Sequence, residues 1–280
     1  ERRLGYSELD RRATRLANAL ASRGIGPGDR VGLELANGSE YLEGMIAAYK
    51  VRAVPVNVNY RYVEGELAHL FEDAGLSALI LHRTFAPRVA AAAPQLPRLG
   101  AFLVVEDASG AEVALPGAVD YEEALAHASP KRDFGARSSD DLYVVYTGGT
   151  TGRPKGVVWR HEDIFFASMG GGDPLRTGRP ISAPEELVPR IPAQPVVALA
   201  APPFMHAAAH WLAWNQLLSG GRIVTTRGGR FDPAEIWNLV DREAVNMLLI
   251  VGDAMATPLV DELAAHRERY RASSLFAVVS

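Results

Sequence analysis

The sequence contains no cysteine. This excludes disulfide staples, thiolate nucleophiles, thiolate zinc sites and iron–sulfur ligation together, and fits a reducing compartment; a cytoplasmic location is the expectation. It also lacks any apolar run near the roughly 20 residues that a bilayer-spanning helix needs. There is no strong excess of either charge. The 29 basic and 33 acidic residues leave a net charge of −4, too little for a field that would gather nucleic acid or an anionic membrane surface. With 48% hydrophobic and 22% charged residues over 280 positions, the chain has the make-up of a folded globular protein, not of a disordered or fibrous one. No repeat, charge block or low-complexity tract interrupts it.

What is present is an alternation of short apolar runs with amphipathic stretches. Ser7 followed by Asp10 predicts a capped helix carrying Leu9, Ala13, Leu16, Ala17 and Leu20 on one face, stopped by Gly24-Ile25-Gly26-Pro27-Gly28. Strands are predicted at 31–36, 54–58, 79–81, 102–105, 142–146, 196–200, 222–226, 246–251 and 275–279. Helices are predicted at 39–51, 63–74, near 121–126, after Ala207, after Asp232-Pro233 and at 254–266, and Arg160 to Glu162 read as an exposed helix start. The implied fold class is α/β, with parallel strands covered by helices. Residues 170–195 break the rhythm with Gly170-Gly171-Gly172 and several prolines, and read as a long surface loop. The chain opens on Glu1-Arg2-Arg3 without an initiator Met and closes in or just after a strand, so it is expected to be part of a longer polypeptide.

The most informative stretch is Tyr146-Thr147-Gly148-Gly149-Thr150-Thr151-Gly152-Arg153-Pro154-Lys155-Gly156-Val157, directly after a strand. Its glycines allow a tight turn that aims several N–H groups at one ligand. Threonine hydroxyls add neutral donors, and Lys155 adds a point charge. Together they describe a phosphate cradle. It is not a Walker loop, because Arg153 and Pro154 stand five residues after Gly148 and Gly149, where the second glycine would be required. Gly24-x-Gly26-x-Gly28 is not a dinucleotide fingerprint, since Asp29 replaces the third glycine and a helix precedes it. No Gly-x-Ser-x-Gly elbow occurs.

This loop resembles the phosphate-binding signature Tyr-Thr-Ser-Gly-Thr-Thr-Gly-x-Pro-Lys-Gly-Val of the ANL superfamily of adenylate-forming enzymes, which includes acyl-CoA synthetases, adenylation domains and luciferases. Tyr6-Ser7-Glu8-Leu9, Gly28-Asp29-Arg30-Val31, Ala53-Val54-Pro55-Val56-Asn57 and Phe231-Asp232-Pro233 resemble further family segments, as does the stretch 251–263, so the likeness runs along nearly the whole chain. Trp159-Arg160-His161-Glu162-Asp163-Ile164 is most similar to bacterial fatty-acyl and steroid-acid CoA ligases.

The resemblance implies the large N-terminal AMP-binding domain of an acyl-CoA synthetase, present in part over residues 1–280, with the C-terminal domain absent. It implies ATP-dependent activation of a fatty or steroid-side-chain-like carboxylic acid through an acyl-adenylate to a coenzyme A thioester. The alternatives are a ligase for aryl or other acids, an adenylation domain serving a carrier protein, and a non-catalytic nucleotide-binding module. Partners are then the acid, ATP with Mg²⁺, and CoA, with a homodimer as the assembly to consider. By the same resemblance, Thr147, Thr150 and Thr151 give hydroxyls to phosphate, and Thr147 also serves Mg²⁺. Gly148, Gly149 and Gly152 give backbone approach, and Lys155 offsets phosphate charge; its alternative is a solvated surface lysine. Gly148 stands where Ser is usual. Pro202-Pro203-Phe204-Met205-His206 is similar to the family's Pro-x-Phe-His element with one extra residue, placing His206 by the substrate carboxylate and Phe204, Met205 and Trp211 along an apolar wall. The alternative for His206 is a helix N-terminal residue satisfied by backbone. His206 and His210 also have the i, i+4 spacing of a zinc pair, but no third ligand accompanies them. The family's Tyr-Gly-x-Thr-Glu element, ribose-binding Asp and catalytic lysine are expected beyond residue 280.

Overall fold

A computed structural model describes residues 2–92, 98–148, 153–171, 180–226 and 230–280. It divides into two compact units, Glu1–His161 and Glu162–Ser280. Among the described residues no helix is long and apolar enough to cross a membrane.

The first unit runs α1 (Tyr6–Ala21), β1 (Arg30–Glu34), α2 (Ser39–Lys50), β2 (Val54–Asn57), α3 (Glu64–Ala74), β3 (Leu76–His82), α4 (Ala86–Ala92), β4 (Ala101–Val105), β5 (Val119–Asp120), α5 (Tyr121–His127), β6 (Leu142–Thr147) and β7 (Lys155–Arg160). Among the described residues its strands form a seven-stranded sheet in the order β5-β4-β3-β1-β2-β6-β7. Every pairing is parallel except the last, where β7 returns antiparallel along β6. β2 and β4 are buried along their whole length, which explains why they read as continuous apolar runs without alternation. Close packing sets local identity as well. A side chain at Gly44 of α2 would come 2.7 Å from a methyl of Leu33 on β1, so only glycine lets the helix lie this near the sheet.

The sequence-derived elements recur here with some differences. α1 starts at Tyr6 with Gly5 as its cap and no side-chain cap, so the Ser7–Asp10 capping reading is corrected. Asp10 turns instead to Lys50 at 2.8 Å, whose side chain is buried and needs a counter-charge. β3 is longer than 79–81; the polar Ser77 interrupts the apolar pattern, yet its hydroxyl donates to Asp29 and sits within the strand. α4 was not foreseen, because its alanines give little apolar contrast beside Val89. The largest correction is β7. Alternation of strand and helix predicts no strand before the helix at 161, but Lys155–Arg160 doubles back as an edge strand.

The second unit contains β8 (Val197–Ala200), α7 (Ala207–Leu218), β9 (Arg222–Thr225), α8 (Pro233–Glu243), β10 (Met247–Leu249), α9 (Gly252–Ala265) and β11 (Ala277–Val279); α6 (His161–Ser168) begins at its boundary with the first. Its four described strands are all parallel, in the order β11-β10-β8-β9. Asp232 caps α8 by accepting from Ala234 N at 2.9 Å, with Pro233 in the first turn, as the sequence indicates. Within 170–195, residues 172–179 lie outside the described set, and Pro184–Arg190 forms a 3₁₀ turn in place of pure loop.

One buried group has a measurable consequence. Glu34 ends β1 with no exposed surface, and neither carboxyl oxygen has a hydrogen-bond partner. Burial, only partly opposed by Arg88, pushes its pKa up to about 8. The unfolded chain releases this proton near the ordinary glutamate value of about 4.3. Between these values the folded state holds a proton that the unfolded state has lost, so stability is full below the lower value and declines as pH rises toward the upper one. We expect Glu34→Gln to flatten the fall in thermal unfolding midpoint between pH 5 and pH 8, removing a slope of about 1.4 kcal/mol per pH unit. Identical pH dependence in wild type and variant would contradict this assignment.

Candidate functional site

The carboxyl end of β6 leads into the glycine- and threonine-rich loop, and β7 begins where that loop ends. Because the two strands pair antiparallel, Thr147 stands directly across from Lys155, and Tyr146 across from Gly156. Cross-strand partners have Cβ atoms roughly 4.5–5.5 Å apart. Thr147 and Lys155, eight positions apart in sequence, thus project their side chains from the same face of the hairpin at the mouth of the loop. Thr147, Gly148 and Lys155 are all exposed. Nothing lies within 4 Å of the position a side chain would take at Gly148. Gly149, Thr150, Thr151 and Gly152 fall outside the described residues.

The base of this hairpin is fixed by polar contacts. Asp141, just before β6, takes the Arg52 guanidinium at 2.8 Å, and its carbonyl accepts from His161 N at 2.7 Å. The His161 ring stands edge-on to Tyr49 at 4.8 Å, and burial lowers its pKa. His161 opens α6 between exposed Arg160 and Glu162, the helix start that the sequence suggests, but its own ring is half-buried and tied into the first unit. Near the loop, Tyr146 is held from three sides. Its N–H donates to Asn57 Oδ1 at 2.7 Å, and its carbonyl accepts from Asn57 Nδ2 at 2.9 Å. Its hydroxyl donates to Asp73 Oδ2 at 2.6 Å, and burial, reinforced by that carboxylate, raises its pKa. Its ring lies 3.0 Å from where a Gly156 side chain would project, so a side chain there would press on the ring.

The other candidate residues belong to the second unit. Pro202 to His206 follow the carboxyl end of β8. The chain proceeds from β8 to β9 on one side and then returns to β10 on the other, making this strand end a topological switch point, where parallel sheets commonly leave a crevice for ligands. His206 is the exposed N-cap of α7 and gives no side-chain cap bond. Phe204 and Met205 are almost wholly covered, and Trp211 is half-buried on α7. His210 is 1% exposed, and its Nδ1 donates to the Phe204 carbonyl at 2.8 Å. Burial lowers its pKa to about 4, so it remains neutral at physiological pH and secures the turn carrying Phe204. The two histidines thus occupy a helix cap and the core.

The residues present suit an anionic polyphosphate. Exposed Thr147 and Lys155 offer a hydroxyl and a positive charge at one loop mouth, whereas Asp73 is engaged by Tyr146. Among the described residues no group of three or more His, Asp or Glu side chains could hold a metal ion. Mg²⁺ keeps several waters and is commonly bound through substrate phosphates, and the exposed Thr147 hydroxyl is one oxygen that would face it at the loop mouth. Sequence reasoning assigned no role to Asn57, Asp73 or Gly156. A polar Asn closing the buried Val54–Asn57 strand was a usable signal for the first; Asp73, in mid-helix, offered none.

A family model described as "AMP-binding enzyme" matches residues 1–280. The chain is 41% identical over 284 residues to a 3-oxocholest-4-en-26-oate–CoA ligase of Rhodococcus rhodochrous, covering 100% of this chain and 51% of that protein. It is 43% identical over 281 residues to a medium/long-chain-fatty-acid–CoA/3-oxocholest-4-en-26-oate–CoA ligase of Mycolicibacterium smegmatis, covering 99% and 50% respectively. Among solved structures, the anthranilate CoA ligase AuaEII in complex with anthranoyl-AMP superposes with a TM-score of 0.78 at 18% identity, covering 99% of this chain and 50% of that one. The chain thus spans about half the length of the curated relatives it matches. On a match that runs from its first residue to its last, the chain belongs to the AMP-binding enzyme family.

Proposed function

We propose that the polypeptide carrying these 280 residues is an ATP-dependent acyl-CoA ligase for a medium- or long-chain fatty acid or a steroid side-chain acid, and that this chain is the N-terminal part of its adenylating domain. The observation that carries the reading is the register of the β6–β7 hairpin, which sets Thr147 opposite Lys155 at the mouth of the glycine-rich loop. Support for the substrate class comes from the 3-oxocholest-4-en-26-oate and fatty-acid ligases to which the chain is similar.

In this reading a carboxylate oxygen of the acid attacks the α-phosphorus of ATP. The bond from that phosphorus to the bridging oxygen breaks, and pyrophosphate leaves with the bonding pair. The CoA sulfur then attacks the acyl carbon and AMP departs. Fixed donors are needed where charge gathers on the leaving pyrophosphate. Lys155 supplies a positive charge there, and Thr147 a hydroxyl. Mg²⁺ arriving on the triphosphate would add further neutralisation. His206, exposed at the start of α7, is proposed to meet the acid's carboxylate, with the half-buried Trp211 as an apolar neighbour of the acyl chain and Phe204, fully covered, packed beneath. Thr150, Thr151, Gly149 and Gly152 are proposed to complete the loop's donor set. The cytoplasm, where ATP and CoA are both available, is the compartment this chemistry calls for.

The experiment is carboxylate-dependent ATP–pyrophosphate exchange across acids from acetate to long-chain acids and 3-oxocholest-4-en-26-oate. We expect exchange with the long-chain and steroid acids and little with acetate. A folded protein that exchanges with none of them would exclude the reading. Lys155→Ala should lower the exchange rate at least tenfold with the fold intact, since it removes a charge-stabilising group; an unchanged rate would return Lys155 to the role of a solvated surface residue. Gly148→Ser fits without contact and adds one donor, so the KM for ATP should fall about twofold to tenfold, the yield of one added hydrogen bond. A rise in that KM would show that the open space serves some other purpose.

A further inference from the structure

Main-chain pairing between β2 and β6 is registered at Val56 with Val144, while the other edge of β2 pairs with β1 along its whole length from Val54 to Asn57. β6 nevertheless continues for three more residues to Thr147. The missing edge is supplied by a side chain. The Asn57 amide accepts from Tyr146 N at 2.7 Å and donates to Tyr146 O at 2.9 Å, doing with one side chain what a neighbouring strand does with its backbone. Asn57 is 7% exposed, and Tyr146, 8% exposed, is the last residue before Thr147. Tyr146 also faces Gly156, the residue after Lys155, and its hydroxyl is tethered to Asp73.

We propose that Asn57 is a positioning residue for the phosphate loop: its side-chain amide extends the sheet by one backbone pair at Tyr146 and so holds Thr147 and Lys155 in register. This rests on the loop being the polyphosphate site. Only an amide does this well, because the position requires one acceptor and one donor at once. An ionised carboxylate would turn a second acceptor toward the Tyr146 carbonyl. A protonated carboxyl regains the donor and is isosteric with the amide. An aliphatic residue would leave both backbone groups buried and unpaired.

The test is Asn57→Asp in the whole polypeptide carrying this chain, held well below its unfolding midpoint, with ATP affinity measured by calorimetric titration and exchange kinetics measured from pH 5.5 to 8. We expect the ATP dissociation constant and the KM for ATP to rise at least tenfold at pH 8, with the KM for the acid within twofold of wild type. The defect, taken as a ratio to wild type, should shrink toward pH 5.5 as the introduced carboxyl gains its proton. Asn57→Ser, whose single hydroxyl partners at most one of the two Tyr146 backbone groups, should raise the KM for ATP less, about threefold, and gives a second test should Asn57→Asp fail to fold. A folded Asn57→Asp with wild-type ATP affinity would overturn the proposal and leave the ligase reading standing. So would a KM for the acid that rises in step with that for ATP, or an unshifted Asn57→Ser if it alone folds. Wild-type protein that binds ATP through the loop but exchanges with no acid would overturn the ligase reading, with Asn57→Asp affinity still deciding the proposal. Wild type without ATP affinity would overturn both.

Discussion

The antiparallel return of β7 along β6 is the constraint on which the candidate site depends. In a sheet otherwise built from parallel strands, a strand end opens into a loop that leads to a helix, and the residues on either side of that loop have no fixed relation. Here the chain comes straight back, so each residue on one side of the loop acquires a partner on the other. Thr147 and Lys155 become neighbours through hydrogen-bond register and not through tertiary packing of two distant elements. The anchors follow from this. Asp141 and His161 secure the base of the hairpin, while Asn57, Asp73 and Gly156 secure the residues beside its mouth.

Each unit uses the same architectural logic. Buried parallel strands, apolar on both faces, place their carboxyl ends together at one edge, and the polar chemistry collects there. In the first unit that edge carries Asn57 at the end of β2 and Thr147 at the end of β6. In the second, the end of β8 leads into Phe204 and His206 beside a topological switch point, with His210 turned inward to fasten the Phe204 carbonyl. Two histidines four residues apart thus have opposite environments, one exposed at a helix cap and the other neutral in the core. Spacing alone could not distinguish them.

Much of the fold was legible because its signals are local. Short apolar runs became β1, β2, β4, β6 and β8 close to their expected bounds, and Asp232-Pro233 marked the start of α8. What escaped reading was set by tertiary context. Ser7 and Asp10 have the spacing of a capping box, but the buried Lys50 claims Asp10, and helix α1 starts earlier on Gly5. β7 carries exposed valines on an edge strand and breaks the strand–helix rhythm, which predicts no strand at this position. Of the candidate site, the loop motif identified Thr147, Gly148 and Lys155 directly. Asn57 and Asp73 lie 89 and 73 positions before Tyr146, the residue they hold, and only the sheet order brings them to it.

The most direct test is a crystal structure of the polypeptide bound to ATP and Mg²⁺. The account predicts the β- and γ-phosphates at the β6–β7 loop, within hydrogen-bond distance of the Thr147 hydroxyl and the Lys155 ammonium, with the Asn57–Tyr146 pair unchanged. Nucleotide bound away from this loop, with Thr147 and Lys155 contacting only water, would contradict it.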